Sequence, residues 1–266
     1  MTRARETLPR YEIEPFSNAA LELCLVQVRY PALPRFAEAG YLTNLQEALA
    51  EEYPLFGTEQ AMNIVVTPQG VSQTASGQII RFNDVGRRWS VVLASDAVSL
   101  ETRHYSSIDE FITRFGEVLR LVAVHLKPRL QLRFGLRYVN EFRYRQGDRY
   151  ERWRQLLNPE LLGVGGRNVL GGTIEQTIGE VRTRRPDGTF LLRHGFLDGT
   201  TVAPLGMKLP QSGPFYLLDL DYYFEAPVPF DPRPAERMRA YNDYIYRVFR
   251  WTIGDDELYQ HLKGGE

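Results

Sequence analysis

Two periods organise the apolar positions of this chain, an alternation of about two residues and a repeat of about 3.6, and they take turns along it. Residues 1–19 follow neither; Pro9 and Pro15 break any helix there, so an extended leader is expected. Leu21–Tyr30 reads as a strand rich in Leu and Val, stopped by Pro31 and Pro34. Arg35–Glu52 reads as a helix with Phe36, Leu42, Leu45 and Leu49 on one stripe, ended at Tyr53-Pro54. Short strands follow at Met62–Thr67, Gly77–Asn83, Arg88–Ala94 and Ala97–His104, separated by turn-forming residues, which predicts an antiparallel meander. Ser106 or Ser107 then caps a helix striped by Ile108, Phe111, Phe115, Leu119, Val122 and Leu126, which Pro128 closes.

The order then repeats. Arg129–Tyr144 is a long strand and Arg152–Leu157 a short helix. Thr173–Arg184 and Gly188–Phe196 form a hairpin around Pro186-Asp187, Phe215–Glu225 is a strand, and Pro232–Ile253 a closing helix. Tyr30 precedes Leu45 by the interval that separates Tyr138 from Trp153. The expected fold class is α+β. It would comprise two tandem strand–helix–antiparallel sheet–helix units, helix-grip or TBP-like, over 20–128 and 129–266, packed as one body behind the 1–19 leader.

The alternation also locates candidate chemistry. On the strand Leu132–Phe142, Arg133, Gly135, Arg137, Val139 and Glu141 share one face. With Arg143 and Arg145 these arginines form a basic strip that could grip an anionic ligand, or simply pair with neighbouring acids. Asp219 and Asp221, on one face of Phe215–Tyr223, are suited either to a divalent cation or to ion pairs with Arg133 and Arg137. No third ligand is spaced to complete a metal site, so no metal is expected. Arg182, Arg184 and Arg185 charge the hairpin, where they could touch phosphates or guard an exposed edge. Tyr244 and Trp251 fall a heptad apart on the last helix and, with Tyr259 beyond it, mark an expected partner-binding surface.

Composition removes several alternatives. With 32 basic and 33 acidic residues the net charge is −1, which leaves no global footprint for nucleic acid. One cysteine, Cys24, excludes an internal disulfide and a multi-thiolate zinc site. His104, His125, His194 and His261 lack the spacing that puts two ligands on one helical face. Gly163-Val164-Gly165-Gly166-Arg167 lacks the Lys-Ser/Thr of a phosphate loop and reads as a flexible connector. No cofactor is expected. No signal-like or membrane-spanning apolar run is present, so the expected address is the cytoplasm, without membrane association.

The segment Arg133-Phe134-Gly135-Leu136-Arg137-Tyr138-Val139-Asn140 resembles a sporadically distributed family of uncharacterised prokaryotic proteins. Val28-Arg29-Tyr30-Pro31, Glu101-Thr102-Arg103-His104-Tyr105 and Asn242–Phe249 extend the resemblance over nearly the whole chain. It implies no activity, cofactor or catalytic residue; a patchy distribution fits accessory or defence-linked genes, toxin–antitoxin systems among them.

Three functions follow. The first is a non-catalytic binding or assembly protein that recognises a partner protein, encoded nearby or a second copy. The second is a nucleic-acid or nucleotide binder using the basic strip and hairpin. The third is an enzyme whose site is assembled from separated residues such as His194 with Asp219 or Asp221.

Overall fold

The described residues form nine strands. They are β1 (Leu21–Arg29), β2 (Leu55–Thr67), β3 (Gly70–Asn83), β4 (Trp89–Ala94), β5 (Ala97–Thr102), β6 (Leu130–Phe142), β7 (Gly179–Arg185), β8 (Gly188–Asp198) and β9 (Pro214–Pro229). Six α-helices accompany them: α1 (Thr43–Ala50), α2 (Ile108–His125), α3 (Tyr150–Leu156), α4 (Gly163–Arg167), α5 (Ala235–Ile253) and α6 (Glu257–Lys263). The computed structural model describes residues 8–38, 40–67, 70–144, 149–167, 169–198 and 213–264. The protein is α+β, its antiparallel sheet hydrogen-bonded in the order β2-β3-β4-β5-β1-β6-β9-β8-β7. Among the described residues no helix is long and apolar enough to cross a membrane.

The chain divides into two compact units. One comprises Cys24–Leu136 and Tyr223–Arg239. Here β1 pairs with β5, Val26 opposite Leu100 and Val28 opposite Val98, and the inward residues of these strands are fully buried. Helix α2 supplies the other wall: Phe111 lies 5.7 Å from Trp89 and Phe115 lies 6.4 Å from Phe134, between ring centroids. Burying each such ring contributes about 1.5–3 kcal/mol, which is why the stripe decides where the helix lies. Ser107 is the cap, its hydroxyl accepting from the Glu110 amide at 3.2 Å, with Asp109 and Glu110 in the first turn.

The other unit comprises Met1–Leu23, Arg137–Tyr222 and Ala240–Glu266. Trp153 of α3 is fully buried, 6.4 Å from Phe142 and 5.4 Å from Tyr216. Helix α5 packs through Phe249 against Phe142, and the Tyr138 hydroxyl donates to Asn242 Oδ1 at 2.8 Å. Along β9, Tyr216 and Tyr222 therefore point to the helices, and Asp219 points the other way.

Several elements differ from expectation. The helix expected over Arg35–Glu52 is a 3-10 turn (Pro34–Ala37) and then α1, because Gly40 between them takes φ +79°, outside helical space. The meander strands β2 and β3 run longer, each in the register that pairs Leu55 with Asn83. The glycine stretch is the short helix α4 rather than a connector; a Cβ on Gly165 would meet the Tyr150 hydroxyl at 2.4 Å, so glycine is what fits. The arm expected to begin at Thr173 becomes strand only from Gly179, and α6 lies beyond the last expected element.

Candidate partner-binding surface

Asp219 decides what the basic strip can do. Its carboxylate takes Arg137 in a two-point grip, Nε to Oδ1 at 2.7 Å and Nη2 to Oδ2 at 2.8 Å. Arg193 of β8 adds a third donor at 3.2 Å and itself holds Glu180 at 3.0 Å. The Asp219 side chain is 4% exposed, so these guanidinium groups are what permits its burial. The acid also acts back on Arg137, whose pKa rises against the opposing pull of desolvation. Arg143 donates to Glu141 and to the Gly213 carbonyl, both at 3.1 Å, and lies 4.5 Å over the Phe215 ring.

Arg133 belongs to the other unit. It lies 4.6 Å over Tyr223 and folds back on its own strand, where a Cβ on Gly135 would meet its guanidinium at 2.6 Å. Gly135 thus makes room for Arg133 rather than for a ligand. Arg145 lies outside the described residues. The strip is engaged with this chain's own acids and rings.

The separated residues considered for catalysis do not converge. His194 Nδ1 lies 2.9 Å from the Tyr216 hydroxyl on the helix-facing side, whereas Asp219 is on the opposite face. Burial lowers the His194 pKa, which keeps the ring neutral at pH 7. No group of three or more His, Cys, Asp or Glu that could hold a metal occurs among the described residues.

The hairpin is different. Arg185 faces Gly188 across the two-residue turn Pro186-Asp187, which makes that pair the hydrogen-bonded one. Alternation along an antiparallel ladder then turns the N–H and C=O groups of Arg184, Arg182 and Glu180 outward. β7 ends the strand order, so among the described residues no strand covers that edge. Every residue from Glu180 to Arg184 is exposed, on both faces.

Arg185 does not join that surface; it anchors the turn. Its Nε donates to the Tyr222 hydroxyl at 2.9 Å, and its guanidinium sits 3.8 Å over the Tyr244 ring. Tyr222 stacks on Tyr241 at 4.0 Å and donates to the Asp187 carboxylate, while the Tyr241 hydroxyl donates to the Asp187 carbonyl at 3.0 Å. Burial pushes the Tyr222 phenol up, so it remains a donor. The turn of the hairpin is thereby tied to α5.

The three aromatic residues expected at a partner surface are all partly buried. Tyr244 holds Arg185, the Trp251 carbonyl accepts from Asn158, and Tyr259 donates to Glu14 at 2.9 Å. That last contact belongs to a site with no sequence signal, because its partners are more than two hundred residues apart. No protein-family model matches the chain, and no curated protein matches it.

Proposed function

We propose that this is a non-catalytic binding protein that recognises a partner polypeptide by taking its extended strand onto the β7 edge. One observation carries the reading: β7 turns its main-chain groups outward at Glu180, Arg182 and Arg184, beside the exposed guanidinium groups of Arg182 and Arg184. Main-chain pairing supplies affinity in strand addition, and side chains at alternate positions select the sequence. Two arginines on one face favour a partner strand with acidic residues at matching positions. Natural edge strands are guarded by charge, and here the guard also makes the edge selective. We propose further that the partner is encoded nearby, in a prokaryotic defence or toxin–antitoxin setting.

We also infer that the two halves are duplicates of one helix-grip unit. What supports this is strand order: β3-β4-β5-β1 in the first half has the same pattern as β7-β8-β9-β6 in the second. In each, the opening strand lies beside the last strand of the meander, and a long helix follows.

A photo-crosslinking residue at Thr183 tests the binding reading. The expected result is one dominant polypeptide crosslinked in the native host, lost when Arg182→Pro removes an outward amide without touching the β8 ladder. Equal crosslinking by an Arg182→Pro chain of unchanged melting temperature would refute it, as would crosslinks chiefly to nucleic acid.

A further inference from the structure

Residues 8–18 have no regular secondary structure, yet they are fastened to α5 and α6 along their whole length. The fastening begins at the main chain. Arg247 donates to the carbonyls of Leu8 and Pro9, the latter at 2.9 Å. The Tyr246 hydroxyl donates to the Glu12 carbonyl and accepts from the Glu14 amide, both at 3.0 Å. The Asn18 amide donates to the Leu262 carbonyl at 3.0 Å, and its side chain to the His261 carbonyl at 3.0 Å.

Side-chain recognition is concentrated at two positions. Glu14 accepts from Lys263 at 2.7 Å and from Tyr259 at 2.9 Å, with Arg250 at 3.4 Å from its other oxygen. Phe16 stands edge-on to Phe249 at 5.5 Å and to Tyr259 at 6.0 Å. Between Pro9 and Ala19 only Tyr11, Glu14 and Phe16 turn inward; the aliphatic Ile13 is 64% exposed. A leader held by nonspecific burial would have hidden Ile13 as well as Phe16. Arg250, by contrast, is only 3% exposed, gripped between Glu14 and Asp255 and lying 4.1 Å over Tyr259.

We propose that this face of α5 and α6 is a peptide-recognition site, occupied in cis by residues 8–18. In trans it takes an extended acidic–aromatic segment of a partner, with a carboxylate two residues before an aromatic ring. The chemistry of this face selects that ligand. Arg250, Lys263 and Tyr259 converge on one carboxylate, Phe249 and Tyr259 wall one ring, and Tyr246 and Arg247 read main chain that any extended peptide carries. With the leader away, Lys263 and Tyr259 would lose the carboxylate they share and Arg250 would keep Asp255, so the site attracts a replacement carboxylate. The tethered leader competes at high effective concentration, which makes the site inaccessible until the leader is loosened or outmatched. This surface is separate from the β7 edge, and neither proposal requires the other.

The test uses the full chain and a fluorescent synthetic peptide spanning Leu8–Asn18. Against the wild-type chain, binding is expected to be weak. Against a Glu14→Ala/Phe16→Ala chain, whose own leader lacks both anchors, affinity for the wild-type peptide should rise at least about tenfold, one anchor's worth of competition. Peptides carrying either substitution, or a further Lys263→Glu in the chain, should abolish the gain. Should the doubly substituted chain melt abnormally, Glu14→Gln alone changes one charge and should give a smaller gain of the same sign. No saturable binding to a normally melting variant overturns the proposal, as does binding indifferent to the peptide's Glu14 and Phe16. A variant that dimerises with concentration and takes no peptide makes the occupant a second copy, and also overturns it.

Discussion

Asp219 is the acid on which the charged side of its unit depends. It is nearly fully buried, but the guanidinium groups of Arg137 and Arg193 are 31% and 38% exposed, so their attraction to it is partly screened by water. Removing the acid alone leaves two cations facing each other over an empty space. Breaking a fully buried pair costs about 3–5 kcal/mol, and the partial exposure brings the expectation for Asp219→Ala to about 2–3 kcal/mol. The double change Asp219→Leu/Arg137→Met should cost less than that single one, because no buried charge is stranded. Urea denaturation of the three chains measures this, with a loss below about 0.5 kcal/mol for Asp219→Ala ruling out the linchpin role. Arg133 and Gly135 make a parallel point: they stand two residues apart in the sequence because one folds over the other, not because both face a ligand.

At the level of elements, what could be read from the chain was what local periodicity encodes. The stripe of α2, the alternation of β6 and the placing of Asp219 and Asp221 on one face of β9 all follow from spacing of two or 3.6 residues, and Ser106-Ser107 offers two candidates for the cap, of which Ser107 is used. That same alternation raised the pairing of the β6 arginines with Asp219, and the structure realises it at Arg137. Local periodicity does not encode which sides of distant elements meet. His194 and Asp219 looked like candidates for one site, yet they occupy opposite faces of adjoining strands. Nothing around Glu14 announces Lys263, and Tyr259, expected to meet a partner, meets the leader instead. The leader also carries a pH signature. Hydrogen bonds from Lys263 and then Tyr259 hold the Glu14 carboxyl below its ordinary 4.5, so the folded form binds its proton less readily than the unfolded chain. The contribution of the Glu14 carboxylate to the attachment is therefore complete above the ordinary value and is lost as pH falls through the lowered one. Hydrogen exchange at residues 11–18, corrected for intrinsic rates, should be slow at pH 6 and much faster at pH 3. The Glu14→Gln chain should show no such step, and an equal step in that chain would assign the transition elsewhere.

For the whole molecule, the route of the chain matters more than the number of units. It passes between the two compact units at 23/24, 136/137, 222/223 and 239/240. Those points lie inside β1, β6, β9 and α5, whereas ordinary domain boundaries fall in exposed linkers. Neither unit can lose its structure without a strand or helix of the other losing residues in the middle of its hydrogen-bonded run. The duplicated halves proposed from strand order are therefore not expected to be autonomous. A fragment of residues 1–128 lacks the 130–136 stretch of β6 and all of 223–239, both of which belong to the unit it would otherwise contain. Scanning calorimetry of the intact chain should give one transition with calorimetric and van't Hoff enthalpies equal, although chains of this length often unfold in steps. The isolated 1–128 fragment should show no cooperative melting and should regain it when mixed with 129–266. Two resolved transitions in the intact chain, or a cooperative melt of the fragment alone, would mean that the halves and not the interleaved units are what folds.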